Sequence, residues 1–422
     1  MSSLVLVVQL VVLYFTLKII WMVYFHPLRN LPGPKMWIAF PVLRFFALSR
    51  GQLEAKMRHF HNQYGEVVRF GPNEVSFFTA QAWKDIYGHG HQQLPKVLHS
   101  TSNPSDIISA NNADHSRFRR SLAYAFSAKG LQSQEPIIQK YADLLIEKLK
   151  IAATSTVPEV DTYHYWVSTI FLAIRGVALV QFKDAYPLLF RELSLFVTSK
   201  RLMKARQRQI EYSRATIQKR LRNGVQRECA DFIDSVLRHP ALLSGITYWL
   251  LRTPHAMRNL AQEIRSTLKT KHDITVTSTA SLPYLLACLK EGLRMYPPAP
   301  SGQQRMTSPG PSHISGHLIP PNTKVSVHQY AAYHDESSPF YNDNRDVLQP
   351  FSTGPRNCIG RELAYSELRV ILARVLWTFD LELLEDSKNW DLQRSYLVWE
   401  KPPLMCRLKL SDKEGSGITN EG

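Results

Sequence analysis

Cysteine is scarce in this sequence. Four occur in 422 residues, Cys229, Cys288, Cys358 and Cys406, and none forms a CxxC pair. That spacing argues against a zinc site and a disulfide framework, and it suits a reducing compartment. No Asn-x-Ser/Thr sequon occurs, so nothing marks a glycosylated, lumenal body. Acidic residues are outnumbered, 35 against 51 Lys and Arg, for a net charge of +16. A surplus of that size calls for an acidic partner: an anionic membrane surface, an acidic protein or a nucleic acid. Disorder is excluded, because 44% of residues are hydrophobic and only 20% charged. No internal repeat is found.

One long apolar run is present, at the N-terminus. Leu4 to Phe25 is interrupted only by Gln9, Thr16 and Lys18 among its polar residues. At about 1.5 Å per residue, such a helix crosses a hydrocarbon core of about 30 Å. A cleaved signal peptide is the competing reading, but the run is long and no small-x-small site follows. Arg29, Lys35 and Arg44 follow the run, which favours a cytosolic body behind a single-pass anchor. The expected divisions are an anchor at 1–25, a proline-rich hinge at 26–36 (HPLRNLPGPKM), a folded body at 37–410 and a polar, disordered tail at 411–422.

The body reads as mainly α with a small β region. GEVVRFGPNEVSFF (65–78) alternates and turns at Gly71-Pro72-Asn73, which predicts a hairpin. Helical patterns cover 113–150, 201–222, 241–270, 283–296 and 359–378. The 201–222 stretch is strongly basic. It reads first as a solvated face, and contact with an anionic membrane is its better functional reading. Nucleic-acid binding is not expected, because no interleaved aromatics or recognisable motif accompanies it. GHLIPPNTKVSVHQY (316–330) predicts a β-ribbon around its Pro-Pro-Asn turn.

FSTGPRNCIG (351–360) places Cys358 at the mouth of the last helix. A thiolate is a soft metal ligand, and a helix N-terminus stabilises its charge. Gly354 and Pro355 turn the backbone. Gly360 would let a flat ligand approach, Phe351 would pack on that ligand's face, and Arg356 would neutralise an acidic group at its edge. A lone cysteine is more often a small core residue. The surrounding F-x-x-G-x-R-x-C-x-G pattern reverses that weighting.

This stretch resembles the haem-binding signature of the cytochrome P-450 family, the haem-thiolate monooxygenases. The resemblance implies that fold, with haem b as cofactor and Cys358 as the axial ligand of its iron. A thiolate there pushes electron density to the iron and favours O–O cleavage. KEGLRMYPPAP (290–300) matches the family's E-x-x-R helix, implying a buried structural pair of Glu291 and Arg294. Arg305 falls where the family often has a basic residue for a haem propionate. DHSRFRR (114–120) looks like the helix along the haem edge. His115 and Arg119, four residues apart, share one face and would meet the propionates. The anchor, the LPGPK hinge, YGEVVRFGP and the strands near 320 fit as well, so the resemblance spans nearly the whole chain. It is closest to fungal members of secondary metabolism. It implies hydroxylation or epoxidation of an apolar small molecule, using O2 and electrons from NADPH–cytochrome P-450 reductase.

The sequence departs from the family in three places. The acid–Thr motif of the central helix is not found; DFIDSVLRH runs directly into PALLSGITYWLL (231–251). Ser244 and Thr247 are nearby hydroxyls without an acid, so the oxygen-activating residues stay unassigned. The segment that supplies an arginine to the E-x-x-R pair is missing between SSPF (337–340) and YNDNRDVLQPF (341–351), with Arg345 in the wrong context to replace it. A helix after PEVD (158–161) is skipped. Block loss of this kind points to splicing, the gene model or deletion. It keeps two alternatives open: a haem-thiolate isomerase or dehydratase, and a degenerate, non-catalytic membrane protein.

Overall fold

The structure is a computed structural model that describes residues 2–90, 92–97, 106–154, 159–161, 181–186, 240–334 and 345–415. The expected basic helix at 201–222 and the three junctions of missing sequence lie wholly or largely outside these residues. Helix α1 (Ser2–Ile20) continues into a π-helical turn (Trp21–Phe25). Together they form one exposed apolar helix long enough to cross a membrane. Short helices α2 (Lys35–Ala39) and α3 (Val42–Ser49) and the longer α4 (Leu53–Tyr64) follow.

Strands β1 (Val67–Gly71) and β2 (Glu74–Phe77) form the expected antiparallel hairpin, with Pro72-Asn73 at its tip. The proline-rich segment is packed against it. Leu28 is buried, and the Arg69 N–H donates to the Pro32 carbonyl at 2.8 Å. Helix α5 (Ala80–Tyr87) is N-capped by Thr79, whose hydroxyl accepts from the Ala82 N–H. Helices α6 (Asn112–Leu122) and α7 (Ala128–Ala153) are likewise capped by Asn111 and Ser127. Strand β3 (Glu159–Asp161) closes this half.

The second half holds α8 (Pro240–Arg252), α9 (Pro254–Thr267), α10 (Val276–Ala280) and α11 (Pro283–Met295). The predicted helix over 241–270 is broken at Thr253. A residue before proline is pushed out of the helical region, and Pro254 suits the first position of a new helix. Strands β4 (Arg305–Met306), β5 (Ser312–Ile314), β6 (His317–Ile319) and β7 (Lys324–Val327) precede α12 (Gln329–Tyr333).

The ribbon expected over 316–330 does not form. β6 pairs with β5, whereas β7 joins the hairpin sheet in the order β1-β2-β7-β4, parallel to β2. Pro320 and Pro321 have no N–H to give a ladder, so they carry the chain from one sheet to the other. Thr307 fixes the crossing, donating to the Pro320 carbonyl at 2.7 Å and accepting from the Thr323 N–H at 2.9 Å.

Helix α13 (Arg361–Thr378) is buried on most of its circumference, as expected of the central helix of a core. It packs with α7, α9 and α11 in the largest apolar cluster. After it come β8 (Phe379–Leu383), β9 (Arg394–Ser395), β10 (Trp399–Glu400) and β11 (Met405–Leu410), with β11 between β3 and β8. The tail starts in ordered fashion: Ser411 is buried, and Asp412–Gly415 is a turn of helix, α14. Residues 416–422 lie outside the described chain.

Candidate active site

The Cys358 loop is built by its own backbone. The Cys358 N–H donates to the Phe351 carbonyl at 2.8 Å, and the Asn357 N–H donates to the Gly354 carbonyl at 3.1 Å. Gly354 has φ +75°, and a Cβ there would stand 1.7 Å from the Tyr87 carbonyl oxygen. Only glycine therefore lets this loop seat on the end of α5. At Gly360 neither φ nor a protein neighbour demands glycine. A Cβ would meet Phe126 at an ordinary 3.5 Å, so the backbone beside the thiol is open to a flat group. Phe351 packs on Tyr365 at 5.2 Å between ring centroids.

Cys358 is exposed, whereas Cys406 is buried and Cys288 half-buried. Protein surrounds the thiol on its other sides, and that burial pushes it up. A hydrogen bond from Gly360 and the charges of Arg119 and Arg361 pull it down. The helix that follows adds its positive end.

Basic groups gather beside this loop. Arg356 donates to the Ala110 carbonyl at 2.7 Å and the Asn112 side chain at 2.8 Å, while its Nη1 is buried with no partner. Arg305 is buried with its guanidinium over the Tyr87 ring, 5.2 Å from the centroid, and its Nε has no partner. His115 is held down to about 4 by burial and by Arg356, Lys96, Arg119 and Arg305. Lys96 is lowered to about 8 by burial and by Arg305 and Arg356, with Asp106 opposing. Gathering buried Arg305 with half-buried Lys96 and Arg356, with so little countercharge, is costly. The unsatisfied N–H groups and the excess charge suit an acidic, flat group over Cys358. The residues present therefore fit a haem, whose iron Cys358 would hold and whose acidic edge Lys96, His115, Arg305 and Arg356 would meet.

Arg119 does something further. Its Nη1 donates to the Asn357 carbonyl at 2.6 Å and its Nη2 to the Asn357 side chain, bracing the cysteine loop from α6. Lys96 escapes sequence reasoning altogether. It reaches this cluster because the segment around it bridges β4 at Arg305, a pairing with no local signal.

Glu291 and Arg294 form a two-pronged pair at 2.6 and 2.9 Å. The pair is not buried as expected: Glu291 faces outward with 58% of its side chain exposed. Arg294 also donates to the Tyr333 carbonyl at 2.9 Å, and the Tyr333 hydroxyl accepts from the Gln349 N–H at 3.0 Å. That chain of bonds ties α11 to the approach to the cysteine loop. Arg345 lies exposed in the turn Arg345–Val347.

On α8, Ser244 is buried against Lys401, with Nζ 3.2 Å from its hydroxyl. Thr247 is buried with an unpartnered hydroxyl. Gly245 and Gly292 let α8 and α11 cross closely, since a Cβ at either would stand within 2.4 Å of Tyr296 or Ile246. No carboxylate occurs on α8.

Comparison with known proteins agrees with this geometry. The Cytochrome P450 family model matches residues 241–407. The cytochrome P450 monooxygenase olcB of Penicillium canescens is 43% identical over 485 residues, covering 97% of this chain and 99% of its own. The trichothecene C-4 hydroxylase of Trichoderma arundinaceum is 42% identical over 470 residues, covering 93% and 94%. The trichothecene C-15 hydroxylase of Fusarium sporotrichioides is 33% identical over 469 residues, covering 93% and 95%. Each alignment is longer than the 422 residues of this chain, so the relatives carry internal residues with no counterpart here. A thiol at a helix mouth, a cationic rim beside it and relatives of this likeness along nearly the full length place the chain in the cytochrome P450 family of monooxygenases.

Proposed function

We propose that this chain is a membrane-anchored haem-thiolate monooxygenase of fungal secondary metabolism that hydroxylates an apolar small molecule. One oxygen atom of O2 enters a C–H bond and the other leaves as water, with two electrons from NADPH passing through a flavoprotein reductase. The observation that carries this reading is Cys358 at the mouth of α13 beside Arg305 and Arg356, whose buried Nε and Nη1 lack partners. Two relatives named as trichothecene hydroxylases favour hydroxylation over epoxidation.

A haem held by Cys358 supplies an electron-rich iron for reductive cleavage of dioxygen. The chain's own residues do the rest. Gly360 and Arg119 stabilise the sulfur's charge. Lys96, His115, Arg305 and Arg356 hold the acidic edge. The Glu291–Arg294 pair steadies the loop through Tyr333. The +16 charge steers an acidic reductase toward the body. The anchor keeps the body at the endoplasmic reticulum, facing the cytosol.

The test is the spectrum of reduced protein with carbon monoxide. A strongly red-shifted Soret band is expected. Cys358→Ser should abolish it, while Cys229→Ser, Cys288→Ser and Cys406→Ser leave it. Survival of the band in Cys358→Ser would overturn the ligand assignment. A second reading, isomerisation or dehydration of an oxidised substrate, draws support from α8, which carries no carboxylate to pair with Thr247. Turnover that persists without NADPH and O2 would favour it.

A further inference from the structure

A helix ends in carbonyl groups that its own backbone does not satisfy. At the end of the apolar N-terminal helix the shortage is sharpened by Pro27, which has no N–H to offer. Arg69, on β1, answers it. Its Nη2 donates to the Met22 carbonyl at 2.9 Å. Nη2 and Nε also donate to the Pro72 carbonyl at 2.9 and 3.2 Å. Arg69 is 1% exposed. Burial lowers it to about 10, so it remains a cation at neutral pH.

Among the described residues, no ion pair is formed by Arg69. The negative end of the helix dipole and two carbonyl oxygens take the place of a carboxylate. His26 lies beside it, lowered by burial and by the Arg69 charge, with a hydrogen bond to Asn73 opposing.

The link between this helix and the body has little freedom. Leu28 is sunk in the core, and Pro32 bonds the Arg69 backbone. A Cβ at Gly33 would stand 1.9 Å from the Arg69 carbonyl oxygen. Helix α2 packs on the π-helical turn, with the Lys35 ammonium 5.8 Å from the centre of the Tyr24 ring. Trp21, Tyr24 and Phe25 around that turn are exposed, the composition of a membrane–water belt. Beside them, α2 and α3 leave Met36, Phe40 and Phe46 61%, 43% and 56% exposed. Arg29, Lys35 and Arg50 are exposed nearby, as anionic headgroups would require.

We propose that Arg69 locks the anchor to the body, so that the body rests on the bilayer in one orientation with Met36, Phe40 and Phe46 in the headgroup region. The occupant of this apolar face is lipid, because the face is continuous with the turn at which the anchor leaves the membrane. The inference rests on reading α1 as a membrane anchor.

The test uses the full chain in phosphatidylcholine–phosphatidylserine vesicles. An environment-sensitive fluorophore, carried by a non-natural amino acid, replaces Met36, Phe40 or, as control, Ile151. Ile151 is exposed on α7, which packs on α13 and β11. Lipid-borne nitroxide should quench positions 36 and 40 several-fold more than 151, and aqueous iodide should do the reverse. Arg69→Gln should bring positions 36 and 40 toward the control while cooperative thermal unfolding is kept. If that variant fails to fold, Arg69→Lys, which keeps the charge and loses the fork, decides the lock.

Equal quenching at all three wild-type positions would overturn the membrane face. An unchanged contrast in a folded Arg69 variant would overturn the lock. Alkaline carbonate extraction separates the underlying reading. Protein released by carbonate means the anchor reading itself has failed. Protein that is retained, with positions 36 and 40 open to iodide, means only this proposal has failed.

Discussion

Lys96 shows how a single side chain can matter without a sequence signal. Its ammonium donates to the Ile108 carbonyl at 2.6 Å and lies close enough to Arg305 and Arg356 to be weakened by both. A residue held against two like charges gains most when an anion arrives. Lys96→Met should therefore lower haem affinity by about tenfold, or ~1.4 kcal/mol. Titration of haem into the apoprotein checks this, and an unchanged affinity would remove Lys96 from the rim.

Glu367 is the opposite case, a carboxyl that is 2% exposed with neither oxygen bonded. Burial pushes it up to about 8 from an ordinary 4.5. As pH rises from 4.5 to 8, the unfolded chain releases this proton and the folded chain keeps it. Stability from this group is thus full below 4.5 and is lost as pH climbs through 8. Glu367→Gln should flatten that loss, with a gain at pH 8 of at most a few kcal/mol and little change at pH 5. Denaturant midpoints at the two pH values measure it.

At the scale of elements, the cysteine loop depends on its seat on α5. Gly354→Ala would force a side chain into the Tyr87 carbonyl at a positive φ. Destabilisation of about 2 kcal/mol or more is expected, with loss of bound haem. Thermal unfolding and haem content report the two effects separately. Elements with local punctuation were legible in advance. The hairpin shows itself through alternation around Gly71-Pro72-Asn73, and α13 begins within two residues of the boundary read from its pattern. The strands near 320 were not legible. Both β6 and β7 carry strand composition, but which sheet each joins depends on partners distant in sequence, β5 for one and β2 for the other. The single helix expected over 241–270 breaks for a different reason: apolar periodicity runs through Pro254, and only the backbone restriction at Thr253 stops it.

For the molecule as a whole, the proposed docking to a reductase rests on the basic surplus of +16. Reductase-supported turnover should fall as ionic strength rises from about 50 mM to about 500 mM, because screening shortens the reach of surface charge. Stopped-flow reduction rates measured across that range test it. A salt-independent rate would show that charge does not govern docking.

The sequence by itself determined the apolar N-terminal helix, the thiol at the mouth of α13, the Glu291–Arg294 match and the basic balance. These are carried by neighbours in the chain, whose spacing alone decides which helix face or turn they occupy. Only the tertiary structure decided that Lys96 joins Arg305, that Arg119 braces Asn357, that Glu291 faces solvent and that Arg69 caps the apolar helix. Each of these depends on where a remote segment packs. Burial then makes such meetings consequential, since a charge removed from water must find its partner in the fold.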